Sequence, residues 1–137
     1  GCSLSIGYGV ARNTDQRVFV YDGDGAVIMQ MGALATVGHH QPQNLYHVVF
    51  DNGAYDSTGG QPTVSSSVDF CGVALACGYK SAVRVNTRDG LKVALGGLRE
   101  GPAMIVVDVK KGARKNLGRP TATPVQNRDA FMEQLKK

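Results

Sequence analysis

Two short motifs in the first half of the chain have the residue types to bind a metal ion together with a phosphate group. Gly23, Asp24 and Gly25 form a Gly-Asp-Gly motif, and Asn52 follows later, in the run Asp-Asn-Gly-Ala at residues 51–54. Carboxylate and amide oxygens are hard ligands that suit Mg²⁺, and glycine lets the backbone approach a phosphate closely. The two motifs together therefore predict a site for a diphosphate and a divalent metal.

Two predicted strands would bring these motifs to the same edge of a sheet. Residues 17–21 read Arg-Val-Phe-Val-Tyr and residues 45–50 read Leu-Tyr-His-Val-Val-Phe, and β-branched and aromatic runs of this kind indicate buried strands. Between these two strands, residues 26–38 are rich in helix-forming residues. Parallel α/β sheets bind ligands beyond the carboxyl ends of their strands. We therefore expect residues 23–25 and Asn52 to meet at that edge.

The distribution of charge also favours a metal. Between Arg17 and Lys80 the chain contains no lysine or arginine, whereas aspartate occurs there at positions 22, 24, 51, 56 and 69. A diphosphate bound by this segment would have no basic side chain from it, and a divalent cation could bridge carboxylate and phosphate instead. A Gly-Asp-Gly motif alone would more simply be an acidic turn, so the prediction depends on Asn52 as well.

The sequence around these motifs resembles a known family. Residues 31–36 read Met-Gly-Ala-Leu-Ala-Thr, residues 51–63 read Asp-Asn-Gly-Ala-Tyr-Asp-Ser-Thr-Gly-Gly-Gln-Pro-Thr, and residues 118–124 read Gly-Arg-Pro-Thr-Ala-Thr-Pro. With the Gly-Asp-Gly and Asn signature, they are similar to the thiamine diphosphate-dependent decarboxylases, in particular phosphonopyruvate decarboxylase and its relative sulfopyruvate decarboxylase. The resemblance covers essentially the whole chain. It departs from the signature at Asp51, where the family has the first of two asparagines.

The resemblance implies a cofactor, a metal and the residues that hold them. The cofactor would be thiamine diphosphate with Mg²⁺. Asp24 and Asn52 would be side-chain ligands of the metal, and the carbonyl of Ala54 would be a third ligand. The backbone N–H groups of Gly25 and Ala26 would contact the diphosphate. The full set of cofactor-binding residues would be Gly23, Asp24, Gly25, Ala26, Asn52, Ala54 and Tyr55.

The residues that follow this set have two interpretations. Asp56, Ser57 and Thr58 would line the substrate pocket, or they would form hydrogen bonds within the loop, with Asp56 in an Asx turn.

The glutamate that activates the cofactor in the family lies in a separate pyrimidine-binding domain. Glu100 and Glu133 stand in unsuitable contexts, so we expect no catalytic residue in this chain.

The implied reaction is the non-oxidative decarboxylation of a 2-oxo acid, foremost of phosphonopyruvate to phosphonoacetaldehyde and CO₂. Residues 1–137 would form a single diphosphate- and metal-binding domain, which would be the C-terminal part of a larger polypeptide. This domain would be inactive alone. It would work with a pyrimidine-binding domain, upstream or on a separate subunit, in a homo-oligomer. Alternatives are a sulfopyruvate decarboxylase beta subunit, an acetolactate synthase-like carboligase domain, and a small α/β binding module with a degenerate site.

Composition excludes several other classes. A chain of 137 residues with 42% hydrophobic residues makes one domain with a real core, and it contains no apolar run long enough for a membrane span. Its three cysteines lack metal-binding spacing, which favours reduced thiols in the cytoplasm. The three histidines lack a nearby nucleophile motif, so we interpret them as structural.

The net charge of +4 is concentrated in one segment. Lys110, Lys111, Arg114, Lys115 and Arg119 occur together without an acidic residue among them. Nucleic-acid binding is the generic interpretation of such a cluster, but no aromatic residues are interleaved with it, so we expect a solvated loop and no nucleic-acid partner. Alternatively, one of its arginines, Arg114 or Arg119, would hold an anionic substrate tail or a neighbouring subunit.

The remaining pattern alternates helices and strands. Helices are predicted at residues 3–12, 26–38, 70–77, 88–98 and 127–135, strands at 17–21, 45–50, 82–85 and 103–109, and an ordered loop at 53–67. Asp69 would cap the third helix and Gly78 would end it. Alternation of this kind predicts an α/β fold, with a mostly parallel sheet and helices on both faces.

Overall fold

The computed structural model describes residues 1–114, 116–118 and 120–136. In chain order its elements are α1 (Ser3–Ala11), β1 (Val18–Gly23), α2 (Asp24–Met29), α3 (Gly32–His40), β2 (Leu45–Asp51), β3 (Ala54–Tyr55), β4 (Gln61–Pro62), α4 (Phe70–Cys77), β5 (Ser81–Val85), α5 (Arg88–Gly97), β6 (Ala103–Asp108) and α6 (Pro124–Leu135). This alternation confirms the predicted α/β class. None of the described helices combines the length and hydropathy that crossing a bilayer requires.

The main sheet is parallel, with strand order β1-β2-β6-β5. In its register Gly23 pairs with Phe50, and Asp51 pairs with Asp108. The carboxyl ends of β1, β2 and β6 therefore lie at one edge of the sheet. This arrangement confirms that the Gly-Asp-Gly motif and the segment at Asn52 follow neighbouring strands at the same edge.

Helices cover both faces of the sheet, as predicted. On one face, buried side chains of β1, β2 and β6 pack against α1, α3 and α4, and the cluster includes Val20, Val49, Val106, Leu34 and Phe70. On the other face, Val48, Ile105 and Val107 pack against α5. Each fully buried aliphatic or aromatic side chain contributes roughly 1.5–3 kcal/mol, so these two layers hold the sheet edge in place.

The prediction of one helix at residues 26–38 is wrong in its extent. The helix begins at Asp24, directly after β1, and it is interrupted after Met29, where Gln30 leaves the helical region with φ −134° and ψ 47°. The break separates α2 from α3 and shifts the helical phase between them. Beyond the break, Val37 is buried whereas Ala35 is exposed.

Two further boundaries differ from the prediction. The segment at 53–67 is not a plain loop: β3 and β4 pair antiparallel, Ala54 opposite Pro62, and a 3₁₀ turn follows at Ser65–Ser67. The last helix begins at Pro124 instead of residue 127, because proline suits the first helical position and Thr123 forms a capping box with Gln126. The cap at Asp69 is confirmed, since its carboxylate accepts a hydrogen bond from the Gly72 N–H at 3.0 Å.

Candidate functional site

A cavity of about 410 Å³ opens at the carboxyl edge of the sheet, where β1 and β2 end. Asp56 and Ser57 line it, whereas Thr58 lies outside the lining and donates a hydrogen bond from its hydroxyl to the Tyr55 carbonyl at 3.3 Å. All the residues expected to bind the cofactor also line the cavity: Gly23, Asp24, Gly25, Ala26, Asn52, Ala54 and Tyr55. The fold therefore brings both sequence motifs to one concave site.

Asp24 is the buried carboxylate of this site. It is the first residue of α2 and only 1% exposed. Thr63, which follows β4, donates a hydrogen bond from its hydroxyl to the Oδ2 atom of Asp24. A buried carboxylate with a fixed orientation suits a cation. No sequence pattern indicated this role for Thr63, although the residue ends the 51–63 segment that carries the family resemblance.

The side-chain amide of Asn52 is held at both of its polar atoms. Its Oδ1 atom accepts a hydrogen bond from the Ala54 N–H at 3.0 Å, and its Nδ2 atom donates to Oδ2 of Asp56 at 2.9 Å. Gly53 has φ +65°, a left-handed conformation that glycine adopts without strain. The turn after β2 therefore presents an amide oxygen and an amide nitrogen to different partners.

Asp51 forms an ion pair that the sequence did not predict. Its Oδ2 atom lies 3.0 Å from Nη1 of Arg84 in β5, and the same nitrogen contacts Asp108 at the end of β6. Burial lowers the pKa of Arg84, but hydrogen bonds to the two carboxylates outweigh this effect and raise that pKa above its ordinary value. Asp51 also accepts a hydrogen bond from the Gly53 N–H at 3.2 Å. It therefore links the Asn52 turn to the neighbouring strands.

A second buried carboxylate, that of Asp22, lines the cavity. Asp22 is 7% exposed and accepts a hydrogen bond from the Ser3 hydroxyl at 2.9 Å, and the Nε2 atom of His47 lies 3.4 Å from its other oxygen. His47 is fully buried inside β2, consistent with its structural interpretation. His39 and His40 end α3, where His40 stacks on Tyr8 at 5.3 Å between ring centroids.

The two glycines of the Gly-Asp-Gly motif have different surroundings. A Cβ atom built on Gly25 would lie 2.3 Å from Cε1 of Tyr55, so the tyrosine ring packs directly on this backbone. A Cβ atom on Gly23 would meet no heavy atom within 4 Å. The backbone at Gly23 is therefore open to the cavity, whereas Gly25 is required by the packing of Tyr55.

The oxygen atoms of the site fit a hard cation accompanied by a phosphate. They are the carboxylate of Asp24, the amide oxygen of Asn52 and the backbone carbonyl of Ala54. In the described residues no group of three His, Cys, Asp or Glu side chains could hold a metal. Mg²⁺ commonly uses one or two carboxylates and takes further oxygens from a bound phosphate. The residues present therefore fit Mg²⁺ bound jointly with a diphosphate.

Two residues of the basic segment, Lys111 and Gly112, lie beside this site. The Gly112 N–H donates a hydrogen bond to Oδ2 of Asp56 at 2.7 Å, and Cε of Lys111 lies 3.9 Å from the Cβ position at Gly53. Lys115 and Arg119, which belong to the predicted cluster, lie outside the described residues. The hydrogen bond from Gly112 to Asp56 thus keeps the side chain of Lys111 next to a site whose lining, among the described residues, carries aspartates and no basic residue.

Comparison with known proteins identifies similar chains. The model of the thiamine pyrophosphate enzyme C-terminal TPP binding domain matches residues 1–109. Phosphonopyruvate decarboxylase of Streptomyces viridochromogenes is 46% identical over 128 residues, which are 92% of this chain and 32% of that protein. Sulfopyruvate decarboxylase subunit beta of Methanococcus maripaludis is 36% identical over 140 residues, which cover 100% of this chain and 74% of the subunit.

The chain thus spans about a third of the length of the Streptomyces relative. Among solved structures it is similar to one from Mycobacterium smegmatis assigned to the thiamin diphosphate-dependent enzymes, with a TM-score of 0.65 and 26% identity. The similarity covers 80% of this chain and 21% of that chain. It supports the α/β assignment independently of the motifs.

Proposed function

The chain belongs to the family of thiamine pyrophosphate enzyme C-terminal TPP binding domains, and on this basis we propose that it binds thiamine diphosphate and Mg²⁺ in the cavity at the carboxyl edge of β1 and β2. The observation that carries the proposal is the convergence of all the residues expected to bind the cofactor on one cavity. Asp24, Asn52 and the Ala54 carbonyl would hold the metal. Gly23 would leave room for the diphosphate, since no atom lies within 4 Å of its Cβ position.

The reaction proposed is the decarboxylation of a 2-oxo acid. Thiamine diphosphate, when bound, supplies the electron sink for the loss of CO₂. The chain's own residues would orient the bound groups. Thr63 holds Asp24 and Asp51 holds the Asn52 turn. The exposed rings of Tyr21 and Phe50 add apolar surface to the lining of the cavity. We assign no proton transfer to this chain, and the activating glutamate is expected on the pyrimidine-binding domain.

The proposed assembly follows because the metal-binding residues and the activating glutamate would lie on different domains. The chain would act as one diphosphate- and metal-binding domain beside a pyrimidine-binding domain, on the same polypeptide or on a separate subunit, within a homo-oligomer. Its three cysteines are free in the structure, which supports the proposal of a reducing, cytoplasmic compartment.

Phosphonopyruvate is the first candidate substrate, and the products would be phosphonoacetaldehyde and CO₂. The 46% identity to the Streptomyces decarboxylase supports it. A sulfopyruvate decarboxylase beta subunit is the second candidate, because the chain covers 74% of the Methanococcus subunit. Both acids end in a tetrahedral anion, and Lys111 beside Gly53 offers a cation near the site for either of them.

The test is CO₂ release by the chain together with its pyrimidine-binding domain, measured with and without Mg²⁺ and thiamine diphosphate. Turnover of phosphonopyruvate over sulfopyruvate supports the first assignment, and the reverse preference supports the second. A sample that binds the cofactor but turns over neither acid would overturn both substrate assignments. Asp24→Ala serves as the inactive reference, since it removes the only carboxylate proposed to bind the metal.

A further inference from the structure

We propose that Asp56 is a positioning residue that orients the amide of Asn52 and ties the backbone after β6 to the metal-binding turn. This inference rests on the proposed cofactor site and concerns how that site is held. Asp56 was expected to line the substrate pocket or to form an Asx turn. It does line the cavity, and its hydrogen bonds also join the Asn52 turn to the backbone at Gly112.

One oxygen atom of Asp56 makes both contacts. Its Oδ2 accepts from Nδ2 of Asn52 at 2.9 Å and from the N–H of Gly112 at 2.7 Å. Asn52 follows β2 and Gly112 follows β6, and these strands are neighbours in the sheet. Hydrogen bonds to an ionised carboxylate are stronger than neutral ones. Asp56 is therefore placed to hold the two segments together.

The contact with Asn52 decides which side of its amide group serves as a ligand. With Nδ2 donating to Asp56, Oδ1 occupies the other side, where it accepts from the Ala54 N–H at 3.0 Å. Rotating the amide by half a turn would direct an NH₂ group at the Ala54 N–H and remove the oxygen from the proposed metal position. Both consequences are unfavourable, because like donors repel and a cation needs an acceptor.

A direct role in binding the substrate is less consistent with these contacts. The candidate substrates carry two anionic groups, and a carboxylate facing them would repel them. The two donors on Oδ2 instead match the outer partners that orient a ligand in metal sites, whose loss typically changes metal affinity about 10–100-fold. The same tether holds the backbone beside Lys111, whose Cε lies 3.9 Å from the Cβ position at Gly53.

The experiment compares Asp56→Ala with Asp56→Asn in the chain combined with its pyrimidine-binding domain. Isothermal titration with thiamine diphosphate at varied free Mg²⁺ gives the Mg²⁺ concentration for half-maximal cofactor binding. We expect Asp56→Ala to raise this concentration about 10–100-fold. Asp56→Asn retains an oxygen acceptor and should recover most of the affinity. Asp129→Ala, an exposed aspartate of α6, is the matched control and should equal the wild type.

Two ligand-free readouts separate positioning from a general structural role. Amide hydrogen exchange at residues 111–113 should become faster in Asp56→Ala, since the Gly112 hydrogen bond is lost, and the melting temperature should stay close to that of the control. A lower melting temperature with an unchanged Mg²⁺ dependence would overturn the inference. If Asp56→Ala fails to fold, Asp56→Asn and Asp56→Ser provide the same comparison at graded acceptor strength.

The proposed function and this inference fail in different ways. A wild-type protein that does not bind thiamine diphosphate with Mg²⁺ would overturn the proposed site itself. A wild-type protein that binds both, with Asp56→Ala requiring the same Mg²⁺ concentration, would leave the proposed site standing and overturn the role of Asp56.

Discussion

Arg84 donates a hydrogen bond from Nη1 to Oδ2 of Asp51 at 3.0 Å, and so connects β5 to the end of β2. The same nitrogen contacts Asp108 of β6. Position 51 is where the family signature carries asparagine, so the charge introduced there is matched by a cation from another strand. This pairing accounts for Asp51 without giving it a place among the metal ligands.

Replacing Asp51 by asparagine tests this account. The amide keeps an acceptor for the Gly53 N–H and loses the ion pair with Arg84, whose side chain is 39% exposed. Because solvent screens exposed ion pairs, we expect the free energy of unfolding to fall by about 1 kcal/mol or less. Urea denaturation of Asp51→Asn, Arg84→Met and the double variant measures the coupling. Fully additive effects would contradict a direct interaction.

Replacing Asp24 by alanine should abolish Mg²⁺-dependent binding of thiamine diphosphate. The substitution removes the carboxylate of the proposed ligand set and leaves the strands of the sheet unchanged. Circular dichroism would establish that the variant is folded, and calorimetric titration would measure binding. Cofactor affinity equal to that of the wild type would refute the site assignment.

Thr63→Val tests the hydrogen bond between the Thr63 hydroxyl and Asp24. Valine has nearly the same shape as threonine but cannot donate a hydrogen bond to the Asp24 carboxylate. We expect the Mg²⁺ requirement for cofactor binding to rise by about 10–100-fold, as for other outer partners of metal ligands. Thr58→Val, in the loop between β3 and β4, is the matched control, because the Thr58 hydroxyl donates to the Tyr55 carbonyl and not to Asp24. Equal effects of the two substitutions would contradict a specific role for Thr63.

Alanine at the two motif glycines should affect different properties, stability at Gly25 and cofactor binding at Gly23. At Gly25 the added methyl group would collide with the ring of Tyr55, and overpacking of this kind costs about 1–3 kcal/mol. At Gly23 the methyl group meets open space, so stability should stay nearly constant while cofactor affinity falls. Urea denaturation and titration check both expectations. Adding Tyr55→Ala should recover stability in the Gly25 variant, and no recovery would argue against the collision.

Tyr79 makes stability sensitive to alkaline pH. Burial, followed by the charges of Cys77 and Asp22, raises the pKa of its hydroxyl well above the ordinary value. The unfolded chain loses this proton near pH 10 while the folded chain keeps it. The contribution of the group to stability is therefore complete below about pH 10 and decreases as the pH rises further.

Tyr79→Phe should remove this dependence. In the described part of the chain the Tyr79 hydroxyl is buried without a hydrogen-bond partner. Its loss should therefore leave the free energy of unfolding at pH 7 unchanged or raise it by about 1 kcal/mol. Urea denaturation between pH 7 and 11 measures both effects. A decline above pH 10 as steep as in the wild type would show that another group is responsible.

Local signals in the sequence were sufficient for the fold class and for the placement of both motifs. β-branched runs predicted β1 and β2, and parallel pairing placed their ends at one edge because every strand of such a sheet runs in the same direction. The cap at Asp69 was predictable because it involves only residues within one helical turn. The residues proposed as ligands follow these strands directly, so their convergence was predictable as well.

The contacts that hold the site were decided only by the tertiary structure. Thr63 reaches Asp24, Arg84 reaches Asp51, and Asp56 joins Asn52 to the backbone of residue 112. With the exception of the Asp56–Asn52 bond, these partners lie far apart in the chain, where no periodic pattern links them. The break at Gln30 was hidden for a related reason, since Met29, Gln30 and Met31 are good helix formers and tertiary packing can override propensity. The sequence determined which groups arrive at the sheet edge, and long-range packing decided which of them bind one another.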